Sequence, residues 1–527
     1  MQSIETLLTL SEMEQAATRG SGFRTFKEAA SSVLRSGDLL PRQKLRELAS
    51  VAVMTLPSYA LSDQARRALS GGLISTFFRG QVPYQPHYVA PDYGLLLRQG
   101  SEVFELEPAQ DLHDATAALL TVYQHLPSSW VGPAFIGRLD LLLEPYLDTV
   151  SPGEARRTMR SFWLLSDRLF GSSWVHGNLG PNETRTGHML LELDRELRTS
   201  TNVSFLYDPE TTPRAFALKA VRSALSITKP YFVNHPLYAG EWGPDYGIVA
   251  CYCPVSLAGG VYSLVRLNLK QLVALSNGTL EDVLDHLIPF AAEIMMEITN
   301  SEAGFLVEEV KWFDNSVFVK EGLVRRERFT SYAAFYGLAE AVNSLMAEKG
   351  RPEARYGHDE EANEMARLIL ERLAEELARI PACYCESSAG RVRFHSQAGI
   401  ASDKGVTPGH RICSGDEPGL YNHLRAELPA HHLCAGGCTS ILEFDQTAEG
   451  NPEAILDIIR GAFKNGARML SIGSAHSEFV RVTGYLVRRA DLEGAKAEKA
   501  LLYDSAHWAS ETFDNRPHDL HRRVCQV

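Results

Sequence analysis

Residues 202–234 read NVSFLYDPETTPRAFALKAVRSALSITKPYFVN, and this stretch decides the fold class. It opens with a short run of strand-forming residues that ends at Asp208. The segment 211–227 then spaces its apolar residues as a helix does and begins with Thr-Pro, a common helix start. The run PYFVN at 230–234 predicts a second strand. Strand, helix and strand in succession are typical of a parallel sheet or barrel, so we predict an α/β protein.

The rest of the chain divides into three predicted regions. Residues 1–190 are predicted to form a mainly helical outer layer, because segments such as 41–56 repeat apolar residues every three or four positions. Residues 191–445 alternate strands with helices and are predicted to form the α/β core, including a cysteine loop at 250–254. Residues 446–527 form a C-terminal domain and tail.

Charge and composition exclude several kinds of partner. The chain has 65 acidic against 52 basic residues and a net charge of −13, the opposite of what binding to phosphate backbones requires. We therefore expect neither nucleic acid nor a membrane as partner. The first 20 residues lack the basic and apolar regions of a signal peptide, and no apolar stretch is long enough to span a membrane. A cytoplasmic protein is expected.

The eight cysteines are too sparse for a secreted disulfide scaffold. Their C-x-C and C-x3-C spacings also differ from the paired C-x2-4-C knuckles of structural zinc sites, so no metal is expected. Six of them are expected to pack in the interior or lie at the surface. They are Cys383, Cys385, Cys413, Cys434, Cys438 and Cys525.

Cys251 and Cys253 flank Tyr252 after the strand-forming run GIVA at 247–250. Alternate side chains of an extended chain share a face, so both thiols would point one way and Tyr252 the other. Two thiols at the end of a barrel strand would lie where active sites are usually built. Buried free cysteines are equally common as small apolar residues, so the local sequence leaves both interpretations open.

Gly484 interrupts a strand-forming run, FVRVTGYLVR at 479–488. Taken alone, a glycine inside such a run marks a turn, a bulge or a close approach of two backbones. The pentapeptide RVTGY at 481–485, however, resembles the RV-x-GY signature of the glycyl radical enzymes, which also lies near the C-terminus of those chains. This motif therefore suggests a chemical role for the glycine.

The resemblance covers roughly residues 200–490. The strand, Asp-Pro-x-Thr-x-Pro turn, helix and PYFVN strand of 202–234 resemble the segment that leads to the family's cysteine loop. ACYCP at 250–254, followed by RLNL at 266–269, resembles the ACC-x-x-P loop and R-x-N-L segment of pyruvate formate-lyase-like members. CAGGCTSILEF at 434–444 resembles the GGT-rich strand of anaerobic ribonucleotide reductases. Overall length and the extended tail resemble most the YjjI-type branch.

The resemblance implies a ten-stranded α/β barrel, made of two five-stranded parallel half-barrels surrounded by helices, with a C-terminal glycyl radical loop. It implies that Gly484 carries a glycyl radical installed after translation by a radical AdoMet activating enzyme with an iron–sulfur cluster. A β-carbon would crowd the planar radical centre, so alanine could not replace this glycine. No metal or bound organic cofactor is expected in the chain itself. A homodimer is expected from the same resemblance.

The same resemblance implies a thiyl radical in the cysteine loop that takes hydrogen from a small-molecule substrate. Aligning Pro254 with the family's proline makes Cys251 the thiyl position, which we favour. Aligning the two thiols with the adjacent cysteines of pyruvate formate-lyase leaves Cys253 possible. In glycerol and choline enzymes, which resemble G-C-x-E-P, a glutamate base occupies the place of Cys253. A lyase or acyltransferase reaction, with formate acetyltransferase-like acyl transfer to a thiol, is therefore expected.

Four polar residues are candidates for binding a substrate, and two of them follow a predicted strand, whose end would face the site in a barrel. They are Asn234 and His235 after PYFV, and His176 and Asn178 in SSWVHGNLG. Each of them also suits a structural role in a loop or turn. Residues 386–420, rich in Gly, Ser and Pro, predict long loops, which are often functional inside a compact domain.

Two alternative functions stay open. Ribonucleotide reduction is disfavoured because anaerobic ribonucleotide reductases carry four zinc-binding cysteines just before the radical glycine, whereas this chain has no cysteine between Cys438 and Gly484. The other alternative is a non-catalytic descendant of the barrel that binds a metabolite or a partner protein. The presence of both RVTGY and a cysteine loop favours the enzyme.

Overall fold

The computed structural model of the chain describes residues 22–53, 59–76, 84–126, 133–170, 175–396, 399–400, 403–482 and 484–526. Positions 1–21, where a targeting segment was not expected, and Thr483 of the RVTGY motif lie outside these residues. In the described part of the chain, no helix is both long enough and apolar enough to cross a membrane.

The strands of the described residues are numbered in chain order. They are β1 (Ile74–Thr76), β2 (Tyr88–Ala90), β3 (Ala134–Arg138), β4 (Val175–Leu179), β5 (Asn202–Tyr207), β6 (Tyr231–Asn234), β7 (Tyr246–Ile248), β8 (Pro254–Ser256), β9 (Gly259–Asn268), β10 (Phe329–Tyr336), β11 (Arg393–Ser396), β12 (Ser440–Phe444), β13 (Met469–Ser474), β14 (Phe479–Val482), β15 (Tyr485–Arg488) and β16 (Val524–Cys525).

The α-helices connect these strands, and from β3 to β6 every strand is followed by a helix, as in α/β proteins. They span Gly22–Arg35, Pro41–Val53, Asp63–Ser70, Tyr93–Gln99, Leu112–Tyr123, Leu139–Leu143, Pro152–Arg168, Arg185–Leu197, Arg214–Ile227, His235–Trp242, Leu269–Ala274, Leu280–Asp282, Ile288–Gly304, Trp312–Asn315, Val317–Lys320, Leu338–Glu348, Glu360–Arg379, Leu420–Leu433, Pro452–Lys464, Arg489–Lys496 and Asp504–Asn515.

The stretch 202–234 folds as its pattern predicts, into β5, helix Arg214–Ile227 and β6. The two strands pair in parallel, with Ser204 opposite Tyr231. Every residue of both strands is buried, which is why they are rich in apolar residues rather than alternating. The helix ends at Thr228, which adopts the left-handed conformation that often terminates a helix.

Two main sheets hold the core. The larger has the order β16-β12-β13-β6-β5-β4-β3, in which β3 to β6 are parallel and only the β13–β6 pair is antiparallel. In the smaller sheet β9, β10 and β11 are parallel, and β1 and β2 pair with β9 in the antiparallel sense. The predicted α/β class is confirmed. In the described residues the two sheets are separate, so closure of ten strands into one barrel stays a prediction.

The sheet does not follow the predicted region boundaries. β3 and β4 lie within residues 1–190, which the sequence predicted as a mainly helical outer layer, yet both belong to the seven-stranded sheet. β4 reads VHGNL, a mixture of polar, apolar and Gly residues that hides the strand pattern. At the other boundary, β12 and β13 pair with each other although the division at 445/446 separates them. The C-terminal region is therefore built into the core.

β14 and β15 form an antiparallel hairpin that packs between the core and the C-terminal helices. Alternate residues of β14 face opposite sides. Val480 and Val482 contact an apolar cluster that includes Phe513 of helix Asp504–Asn515. Phe479 contacts Ile227 at the end of the helix that precedes β6, and Arg481 points to the same side. This alternation directs one face of the hairpin into the core.

Candidate active site

Gly484 lies at the turn of the β14–β15 hairpin, where Val482 pairs with Tyr485. It is buried, and its carbonyl oxygen accepts a hydrogen bond of 2.7 Å from the Tyr231 hydroxyl. Tyr231 is the first residue of β6, so a core strand fixes the position of this turn. Sequence analysis did not identify this tyrosine, because its contact with Gly484 joins distant parts of the chain.

Arg481 anchors the hairpin from the side that faces the core. Its Nη1 donates to Asn202 Oδ1 at 2.8 Å, and its Nη2 donates to the Thr228 carbonyl oxygen at 2.5 Å. Its guanidinium also lies over the Tyr231 ring, 3.9 Å from the ring centre. The arginine of the RVTGY motif thus holds both the hairpin and the tyrosine that contacts Gly484.

The cysteine loop is the tip of a second hairpin. β7 and β8 pair in the antiparallel sense with Ile248 opposite Pro254, and the Val249 N–H donates to the Cys253 carbonyl oxygen at 3.0 Å. The prediction of an extended chain through the two cysteines is therefore wrong, because residues 249–253 form a tight turn. Gly437, with φ of +107°, packs against this turn, and a β-carbon at Gly437 would lie 1.9 Å from the backbone carbonyl oxygen of Tyr252.

Cys251 packs against an apolar cluster that contains Tyr231 and Tyr252. Burial raises the pKa of its thiol to about 11, while the positive charges of Arg481 and Arg411 act in the opposite direction. The thiol therefore keeps its proton at neutral pH. Its S–H hydrogen is available for transfer as an atom.

Cys253 has different surroundings. Its Sγ lies 3.7 Å from the Tyr88 hydroxyl and 3.8 Å from His395 Nε2. His395 Nδ1 donates to the Gly436 carbonyl oxygen at 2.7 Å, which places the proton on Nδ1 and leaves Nε2 as a hydrogen-bond acceptor. The His395 ring is stacked near Tyr252, with 5.4 Å between the ring centres. His395 is a site residue that the sequence did not reveal.

Three of the four predicted substrate-binding residues have structural partners. Asn178 accepts from the Ile248 N–H at 2.8 Å and donates to the Ile248 carbonyl oxygen at 3.0 Å, so it holds the strand that leads to the cysteine loop. The Asn234 amide donates to two carbonyl oxygens of the Pro452–Lys464 helix and its following turn, at 3.2 and 2.9 Å. His235 hydrogen bonds through Nδ1 to the Tyr246 hydroxyl at 3.0 Å. Each side chain is engaged in fixing the fold.

His176 is the fourth candidate, and it lies in β4, close to the charge of Arg481. Burial and, to a smaller extent, the charge of Arg481 lower the pKa of His176 to about 3. The imidazole is therefore neutral throughout the physiological pH range. His176 thus lies close to the arginine of the β14–β15 hairpin.

One cluster of metal-type side chains lies near the site. Ligand atoms of His410, His431 and Cys438, all buried, lie within 4.8 Å of one another. The Arg468 N–H donates to His431 Nδ1 at 3.0 Å, so the proton of this ring is on Nε2, which lies 3.0 Å from Ser440 Oγ. Both nitrogens of His431 are used in hydrogen bonds. This arrangement fits a buried polar network better than a metal site.

Alkylation of the unactivated protein should distinguish the site thiols from the exposed Cys383. The shift of the Cys251 pKa from 9.0 to about 11 lowers its thiolate fraction below pH 9 by about 100-fold. Cys251 should react with iodoacetamide roughly 100-fold more slowly than an ordinary thiol at pH 8, with a rate that rises until about pH 11. Peptide mass spectrometry measures each site. Equal rates for Cys251 and Cys383 at pH 8 would contradict this placement of the thiol.

The fold is similar to that of solved radical enzymes. The anaerobic ribonucleotide reductase from Thermotoga maritima superposes with a TM-score of 0.64 and 11% sequence identity, over 94% of this chain and 95% of that chain. Hydroxyproline dehydratase from Clostridioides difficile superposes with a TM-score of 0.65 and 12% identity, over 95% of this chain and 88% of that chain. At these identities the similarity concerns the fold.

Closer relatives are found by sequence. A protein of Escherichia coli strain K12, described as "Uncharacterized protein YjjI", is 40% identical over 474 residues, which are 90% of this chain and 91% of that protein. A Haemophilus influenzae protein is 32% identical over 486 residues, 91% of this chain and 94% of that protein. The family described as "Glycyl radical enzyme YjjI-like" matches residues 39–524. The chain therefore belongs to the YjjI-like family of glycyl radical enzymes.

Proposed function

We propose that the protein performs radical chemistry on a small metabolite, with the radical stored at Gly484 and used at Cys251. The observation that carries this proposal is the position of Tyr231. Its hydroxyl donates to the Gly484 carbonyl oxygen, and its ring belongs to the cluster against which Cys251 packs. The buried side chain of Tyr231 thus connects the β14–β15 hairpin, which carries Gly484, with the cluster against which the cysteine loop packs.

The surroundings of the two thiols favour Cys251 over Cys253 as the thiyl. Burial raises the pKa of Tyr231, Arg481 lowers it and the Cys251 thiol raises it, so Cys251 acts on the tyrosine that donates to Gly484. Cys253 instead contacts Tyr88 and His395. Because distance limits the transfer of a hydrogen atom, the thiol that acts on Tyr231 is the expected partner of Gly484.

The proposed cycle conserves atoms and electrons. Activation removes one hydrogen atom from Gly484 Cα, and a radical AdoMet activase, the general partner of this enzyme class, supplies the acceptor. Cys251 then gives its S–H hydrogen atom to Gly484 and takes one from a C–H bond of the substrate. After the substrate radical has reacted, the product regains a hydrogen atom from Cys251, which recovers its own from Gly484. Activation thus oxidises the chain by one electron, and each turnover afterwards returns the chain to this activated state without further oxidation.

Cys253 is proposed as the second functional thiol, in a reaction of the lyase or acyltransferase type. His395 Nε2 is placed to accept the Cys253 proton, because the other ring nitrogen donates to a backbone carbonyl. Burial raises the pKa of Cys253, so the thiol needs such an acceptor before it can act as a nucleophile. The homodimer and the identity of the activase stay predictions.

Exposure of the activated protein to oxygen tests the storage site directly. A glycyl radical reacts with oxygen and breaks the backbone at its own position, so mass spectrometry should find a fragment that ends next to Thr483. The fragment should be absent without activase. An intact chain, from a sample whose radical had been counted by electron paramagnetic resonance before exposure, would contradict storage at Gly484 and place the radical at another position.

A further inference from the structure

Arg411 is a buried arginine whose charge faces the cysteine loop. The residue is 4% exposed, and the only hydrogen bond of its side chain in the described residues is from Nε to the Thr439 carbonyl oxygen, at 3.4 Å. Its two terminal nitrogens, Nη1 and Nη2, are buried without a hydrogen-bond partner. The guanidinium lies 5.7 Å from the centre of the ring of Tyr252, the residue between Cys251 and Cys253 in the sequence. Its charge acts on the Cys251 thiol.

Two other buried arginines of the protein have carboxylate partners. Arg266 makes two hydrogen bonds to Asp403, at 2.9 and 3.0 Å. Arg468 makes two to Glu241, at 2.6 and 2.8 Å. Within the residues that the structure describes, no carboxylate forms an ion pair with Arg411. A buried charge without a partner is costly, and this protein supplies partners elsewhere.

Arg481 adds a second positive charge that acts on the Cys251 thiol. The two arginines are close enough for each to act on the other and on Cys251. Arg481 is held by Asn202 and Thr228, neither of which carries a negative charge, and its Nε is also buried without a partner. Two buried guanidinium groups without a counter-charge beside the thiol create an electrostatic requirement for an anion.

The segment around Arg411 is rigidly held on both sides. The His410 N–H donates to Ser396 Oγ at 3.1 Å, and the His410 carbonyl oxygen accepts from the Tyr356 hydroxyl at 2.9 Å. The Ile412 N–H donates to Glu427 at 3.2 Å. The polar network that contains Glu427 therefore fixes the backbone on either side of the arginine. Such support is what a preorganised binding group requires.

We infer that Arg411 binds the carboxylate group of a small substrate beside Cys251. The two free nitrogens form a fork that matches the two oxygens of a carboxylate. A single fork suits the single charge of a carboxylate better than a phosphate, which carries more charge and more acceptor oxygens. The anion is a substrate rather than an inert ligand only if Cys251 has the radical role proposed above.

Thermal unfolding of the full-length, unactivated protein tests the inference. The probes are millimolar acetate, pyruvate, lactate and glycerate, with acetamide and lactamide as uncharged analogues, inorganic phosphate as the other anion, and sodium chloride to equalise ionic strength. At least one carboxylate should raise the Tm of the wild type by about 2 °C, while its uncharged analogue should not. Arg411→Gln should lose this response, and Arg411→Lys should bind about tenfold more weakly because it lacks the fork.

Arg157→Gln is the matched control, because Arg157 is exposed on helix Pro152–Arg168. It should respond as the wild type does. The unliganded Arg411→Gln protein should melt at the same temperature as the wild type or higher, since the substitution removes a buried charge without a partner. A markedly lower Tm would assign Arg411 a structural role and overturn the inference.

Two further results would also overturn it. If the carboxylates shift Arg411→Gln as much as the wild type, or shift neither protein, Arg411 does not bind a carboxylate. If only phosphate produces a shift that depends on Arg411, the site binds phosphate. The assay uses no radical, so its failure leaves the role of Gly484 untouched, just as a missing radical signal would leave the binding result intact.

Discussion

The Gly484→Ala variant is expected to show no organic radical after anaerobic incubation with activase, AdoMet and a reductant. The wild type should give a doublet in its electron paramagnetic resonance spectrum, caused by the single α-hydrogen that remains on Gly484. Alanine carries a β-carbon that would crowd the planar radical centre. Loss of the signal should be complete, and all radical-dependent turnover should be lost with it.

The fold of Gly484→Ala should survive, because the hydrogen bond from Tyr231 goes to the backbone carbonyl and not to a side chain. Circular dichroism should therefore match the wild type. Gly461→Ala is a suitable control: Gly461 lies on the exposed side of helix Pro452–Lys464, with no atom within 4 Å of an added β-carbon. That variant should be activated normally and be up to about 1 kcal/mol more stable. A radical doublet in Gly484→Ala would place the radical elsewhere.

Replacing Cys251 with serine should prevent hydrogen exchange between Gly484 and solvent. In deuterium oxide the Cys251 thiol becomes S–D, and reversible transfer between this thiol and the glycyl centre replaces the α-hydrogen by deuterium. The doublet of the wild type should then collapse towards a single line, because deuterium couples far more weakly. Cys251→Ser should keep the doublet, since an O–H bond is too strong to take part. No substrate is needed for this measurement.

The Cys253→Ser variant is the matched comparison, because it removes the other thiol of the same loop. It should show the collapse as the wild type does, yet lose turnover if Cys253 is the second functional thiol. Cys383→Ser, at an exposed position, should behave as the wild type in both respects. If the doublet collapses in Cys251→Ser but not in Cys253→Ser, the assignment of the two cysteines is reversed and Cys253 is the thiyl position. The alignment with the adjacent cysteines of pyruvate formate-lyase allows this result.

The residues that carry motifs could be identified without a structure. RVTGY marked Gly484, and ACYCP marked Cys251 and Cys253, because each motif is a short run of neighbouring residues. The alternation of strand and helix around 202–234 predicted the α/β class for the same reason, since periodicity is a local property. The wrong prediction of an extended cysteine loop also came from local sequence, because the strand-forming run was taken to continue through residues that fold into a turn.

The substrate-binding candidates show the limit of local inference. Asn234 was selected because it follows a predicted strand, and it does end β6, but its amide holds the backbone, as the amide of Asn178 also does. Nothing in a strand-end position tells whether a polar side chain faces a substrate or a neighbouring carbonyl. That distinction depends on which segment packs against it. β4 is a second example, because its mixed composition of polar, apolar and Gly residues did not predict the core strand that it forms.

The sequence by itself therefore determined the α/β class, the family, the glycine and the pair of thiols. Only the tertiary structure showed that Cys251 packs against the cluster that contains Tyr231, and it added Tyr231, His395 and Arg411 to the site. These three residues come from β6, β11 and a loop, and Tyr231 meets Gly484 across 253 positions of the chain. Their roles depend on which groups are buried without water, and burial is a property of the packed chain that no local pattern contains.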